Sequence, residues 1–79
     1  MVTVLREAGF RFVIFSDDHE PAHVHVIGDG MAKINLLGQD GQPELVSWVG
    51  FKAGNLRKAY RIVLREQTEM LERWKEIHG

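Results

Sequence analysis

Cysteine is absent. That excludes a disulfide scaffold, a thiolate zinc site, a C-x-x-C redox motif and a cysteine nucleophile together. No apolar run approaches the ~20 residues needed to cross a bilayer, so no membrane association is expected. No basic segment followed by an apolar stretch opens the chain, so a secretory leader is not expected and a cytoplasmic location is. An excess of one charge is missing too. The net charge is −1, which argues against a global field for polyanions. Residues 1–53 nevertheless carry −3 and residues 54–79 carry +2. With 79 residues, 44% of them apolar, the chain has room for one small domain spanning 1–79. A core this thin needs good packing, a metal or a partner chain.

The first half reads as strands. Residues 2–6 form a short edge strand, and Phe10–Phe15 is rich in aromatic and β-branched residues. Residues 16–22 are a loop, because Pro21 cannot donate to a ladder. Further strands are expected at about His23–Ile27, Met31–Leu37 and Glu44–Val49. The turns between them are Gly28-Asp29-Gly30 and Gly38–Pro43. The second half reads as one long helix over about 55–77 with Asn55 as its N-cap. Leu56, Tyr60, Val63, Gln67, Met70, Trp74 and Ile77 recur at helical steps on one face. Leu64 and Leu71 widen that stripe on one side and Ala59 on the other, while Ile62 falls away from it. The fold class is therefore α+β: an antiparallel meander of three to four strands, about 2–49, with one long C-terminal helix on its Val24/Val26 face. A straight helix of this length spans ~34 Å. Its far end then overhangs the sheet, and Trp74 and Ile77 call for a second chain, a homo-oligomer formed through the helix.

The chemistry is concentrated in Asp17-Asp18-His19-Glu20-Pro21-Ala22-His23-Val24-His25-Val26. Strand alternation puts His23 and His25 on one face, roughly 6–7 Å apart, and Val24 and Val26 on the other. Lys33 and Asn35 of the neighbouring strand can share the histidine face, subject to register. One use of the pair is as metal ligands. His19, or a carboxylate of Asp17, Asp18 or Glu20, would complete the shell, with His19, Glu20, His23 and His25 as the leading set. The cofactor would be a divalent transition metal: zinc, nickel or iron. A second use is metal-free acid–base catalysis by His23 and His25 on an RNA 2′-hydroxyl. A third is structural, since histidines on a solvated sheet face often do no more than pair across strands. His78 falls in the last helical turn, where it is expected to be solvated and to complement the helix dipole.

Arg57, Lys58, Arg61 and Arg65 crowd the start of the helix as like-charge neighbours. Arg57, Arg61 and Arg65 are candidates for holding an anion, such as a nucleic-acid phosphate, or the acidic surface of a partner. A plain solvated face explains them as well. G-x-x-x-x-G-K-[ST] and G-x-S-x-G are absent. His19-Glu20-Pro21-Ala22-His23 has the letters of H-E-x-x-H, but it passes through a proline and is not read as helical, so a zincin site is rejected.

The run His19-Glu20-Pro21-Ala22-His23-Val24-His25-Val26, after Phe10-Arg11-Phe12-Val13-Ile14-Phe15, resembles a family of small bacterial proteins, domain-of-unknown-function family 4160. Ala22 stands where the family's signature usually has a second proline. The resemblance covers nearly the whole chain and extends to His19, Glu20, Pro21, His23 and His25. It carries no established activity. It implies a partner, a small protein encoded by a neighbouring gene, and hence one component of a toxin–antitoxin-like module. The alternative is a non-catalytic antitoxin-like or regulatory binding protein whose histidines are structural.

Overall fold

The computed structural model describes residues 1–79. Five strands form one antiparallel meander in the order β1-β2-β3-β4-β5. They are β1 (Val2–Glu7), β2 (Phe10–Ile14), β3 (His23–Ile27), β4 (Met31–Asn35) and β5 (Glu44–Val49). All the segments read as strands are present, one more than the expected three to four. Ala8 and Gly9 both take positive φ, 56° and 83°, as a tight two-residue hairpin turn between β1 and β2 demands. Gly30 is required for a different reason. A Cβ there would collide with the Val49 carbonyl oxygen, so the β3–β4 turn lies directly against the end of β5.

Register fixes the two faces. Phe12 pairs with Val26, Val26 with Ala32, and Val24 with Ile34. These residues join Phe10, Ile14 and Leu36 in a single core with Leu56, Ala59, Ile62, Val63, Met70 and Trp74 from the helical half. The helices therefore cover the Val24/Val26 face, as the alternation predicts.

The long helix is in fact two: α1 (Ala53–Arg65) and α2 (Gln67–His78), interrupted at Glu66 with φ −101° and ψ 16°. Local contacts hold the break. Gln67 Nε2 donates to the Leu36 carbonyl at 2.7 Å and to the Gly41 carbonyl at 3.0 Å. Arg65 donates to both Glu66 and Glu7. The overhang is thereby removed. Met70 is 2% exposed and Trp74 5%, both covered by the same chain, so the case for a homo-oligomer through this helix loses its basis. The inward face of α1 also differs from the expected stripe. α1 buries Leu56, Ala59, Ile62 and Val63, so Ile62 is core and Leu64 is exposed, the reverse of the periodic reading. Asn55 is not the cap. Lys52 holds that position without a side-chain cap bond. Asp29, from the β3–β4 turn, instead accepts from the Lys52 backbone N–H at 3.1 Å and from Asn55 Nδ2, which ties α1 to the sheet.

Candidate metal centre

The loop between β2 and β3 opens with a turn that fixes one carboxylate. The Asp18 N–H donates to the Phe15 carbonyl at 3.0 Å, and the Phe15 N–H donates back to Asp18 Oδ2 at 3.1 Å. This reciprocal pair holds the carboxylate over the start of β3. There it meets His23 Nε2 at 3.2 Å and His25 Nδ1 at 4.0 Å.

His23 and His25 leave β3 on the same face, opposite Asn35 and Lys33 respectively. Their rings stand 5.2 Å apart. The face is not open, as the sequence had suggested. His23 is 4% exposed, because the Trp74 ring of α2 lies 5.3 Å from it. His25 is half-buried, with the edge of Phe15 5.0 Å from its ring.

Both imidazoles are set chemically by their surroundings. His23 Nδ1 lies 2.9 Å from the Pro21 carbonyl. A carbonyl oxygen only accepts, so Nδ1 is the donor. Nε2 then turns toward Asp18. A second-sphere bond of this kind commonly orients a metal-ligating histidine. His25 Nδ1 is buried and has no hydrogen-bond partner. Burial holds the His25 imidazole below the usual histidine range. The nearby His23 and Lys33 act in the same direction, and Asp18 opposes them. His25 is therefore neutral at pH 7 with a lone pair to offer, the form that binds metals.

Ligand atoms of Asp18, His23 and His25 all lie within 4.8 Å of one another. Two donors 2.0–2.2 Å from a common ion stand at most about 4.4 Å apart, so the three groups must draw closer together to engage one cation. Of the carboxylates weighed from the sequence, Asp18 is the one brought to the histidines. His19 and Glu20 do not join that group. They are exposed and line a neighbouring cleft with Asp18, Leu71, Lys75 and His78. His78 is not solvated but stacks on Trp74 at 3.9 Å and lies close to the Trp74 carbonyl through Nδ1. Trp74 is thus held between His23 and His78. Its presence beside the centre could not be read from the sequence, because it depends on the break at Glu66.

The arginine cluster divides. Arg65 grips Glu7 through both terminal nitrogens, one contact being 2.9 Å, and bonds Glu66 through Nε. It is neutralised within the chain. Arg57 and Arg61 have no carboxylate partner and flank a groove with Leu45 and Tyr60.

A family model, Domain of unknown function (DUF4160), matches residues 9–75. The chain belongs to the DUF4160 family. Neither the curated proteins nor the solved structures contain a match. Within this DUF4160 domain the matched span contains all of Asp18, His23, His25 and Trp74. No helix is long and apolar enough to cross a membrane.

Proposed function

We propose that this chain binds a divalent transition metal (zinc, nickel or iron) through Asp18, His23 and His25. One observation carries the proposal. With Nδ1 committed to Pro21, a neutral His23 aims the Nε2 lone pair at a carboxylate oxygen 3.2 Å away. Two electron-rich atoms hold that separation only with positive charge on or between them, either a proton on Nε2 or a metal ion. A proton satisfies His23 and Asp18 but leaves the buried His25 Nδ1 without a partner. A metal ion engages all three, and an orphaned buried nitrogen costs about 1–3 kcal/mol.

Two imidazoles and one carboxylate are an incomplete shell, which leaves positions for water or substrate. A bound ion there would act as a Lewis acid or lower the pKa of its water. Metal-free RNA cleavage is supported less well, since both ring nitrogens of His23 are engaged and the ring is covered by Trp74. We further propose that the protein serves as one component of a bacterial two-protein, toxin–antitoxin-like module. Its support is the gene neighbourhood implied by the family resemblance. The second reading, a non-catalytic antitoxin-like or regulatory protein with structural histidines, is favoured by the burial of His23.

Metal analysis of tag-free protein equilibrated with zinc, nickel or iron(II) separates the two. The metal reading expects one ion per chain, lost in the His23→Ala/His25→Ala double variant and weakened at least tenfold in Asp18→Asn. Protein that takes up no ion, with a melting curve unmoved by zinc or nickel, would leave the structural role standing.

A further inference from the structure

The two edges of the sheet are protected differently. β1 contains a register shift between Thr3 and Leu5. It carries Arg6 and Glu7, Glu7 is bound by Arg65, and β1 shares a cleft with Glu66, Glu69 and Arg73 of the helices. These features guard an edge strand against added chains. β5 has almost none of them. Its sequence Glu-Leu-Val-Ser-Trp-Val has one charge, at its first residue, and no proline. Beyond the single bulge opposite Lys33/Ile34 it offers an open row of backbone donors and acceptors. Val46 is 45% exposed, Trp48 52% and Val49 78%.

Beside this edge runs the groove formed by Leu45, Ala53, Leu56, Arg57, Tyr60 and Arg61. Its apolar floor is continuous with the core through Leu45 and Leu56. Tyr60 closes one end by donating its hydroxyl to the Pro43 carbonyl at 2.7 Å. Arg57 and Arg61 stand on the wall, exposed and without a salt-bridge partner, and Lys58 lies between them in sequence.

We infer that β5 and this groove form a docking site for an extended, acidic segment of a partner protein, which adds to the sheet as a sixth strand. The main chain of the segment would pair with β5. Its alternate apolar side chains would contact Trp48 or enter the groove, and its acidic side chains would meet Arg57 and Arg61. Charge selects this occupant over a second copy of the chain. Antiparallel pairing of two β5 strands would supply only Glu44 from each copy against the unpaired cations of both helices. A single added strand with one groove is a small interface of the transient class, so binding and release on a regulatory timescale are expected.

The inference does not depend on the metal centre, and its test leaves Asp18, His23 and His25 intact. The probe is a synthetic eight-residue peptide alternating Val and Glu, compared with its Val/Lys counterpart, titrated into the full chain and followed by backbone amide NMR. The Val/Glu peptide is expected to shift the amides of residues 44–49. Its affinity should fall at least tenfold in the Arg57→Glu/Arg61→Glu variant and fall with added salt. Both positions are exposed, and an acid at position 61 stands four residues before Arg65, a favourable helical pairing, so loss of fold is not expected. Val46→Pro on the edge strand is a second variant and should also weaken binding. Equal binding of both peptides, shifts confined to other strands, or no binding of either at millimolar concentration would overturn the inference. So would a dimer seen by sedimentation that buries β5.

Discussion

His25 is the residue whose environment makes the sharpest demand. Burial depresses its pKa below the unfolded value near 6.5, so between the two values the unfolded chain binds more protons than the folded one. Stability is therefore full above about pH 6.5 and is lost as pH falls toward the folded pKa. Imidazole titration by NMR should give His25 a midpoint below 6.5, and His25→Phe should flatten the acid side of the stability curve. Metal affinity should weaken only at lower pH, as pH falls through the folded His25 pKa, because protons then compete for the same nitrogen. Trp74 is the other decisive residue. Trp74→Ala removes a ring packed on His23 and His78 and should cost about 3–5 kcal/mol in urea unfolding. The pairing of His23 with His25 follows from strand alternation and is legible in the sequence. Trp74 and Asp18 are not, because one depends on a helix break and the other on a reciprocal turn with Phe15.

Among the elements, the strands were the easiest to read: His23–Ile27 and Glu44–Val49 match their expected limits, and the valine face is the core face. The helical half was harder. A periodic stripe through Gln67 hides a break that local propensity does not announce, since no proline or glycine marks Glu66. The signal is tertiary: the Gln67 amide reaches two carbonyls of the β4–β5 connection. Gln67→Ala should lower stability by about 1–2 kcal/mol and loosen α2, which would appear as faster amide exchange over residues 67–78. Gly30 marks a second junction. Gly30→Ala forces the β3–β4 turn away from Val49 and Gly50 and should cost about 1–3 kcal/mol, with amide shifts concentrated at the end of β5.

For the molecule as a whole, a 79-residue chain without disulfides has little stability to spare. An ion bound only to the folded state adds about 2.7 kcal/mol when present at 100 times its Kd. In a domain this small, each kcal/mol moves Tm by about 4–8 °C, so saturating metal should raise Tm by roughly 10–20 °C. Calorimetry with and without zinc or nickel checks this, and the His23→Ala/His25→Ala variant should show no shift. The charge asymmetry between the two halves was visible in the composition. That Arg65 is silenced by Glu7 while Arg57 and Arg61 are left unpaired required the folded chain, because Glu7 lies 58 positions away.

The two tryptophans divide the molecule between them. Trp74 is sealed against two imidazoles, whereas Trp48 is half open to water on the outermost strand. Their emission should separate into a blue component from the interior and a red component from the rim. A paramagnetic ion such as nickel or copper would quench the first, and an added strand would shift the second. One optical cell could then report loading of the centre and occupancy of the edge independently, without any attached dye.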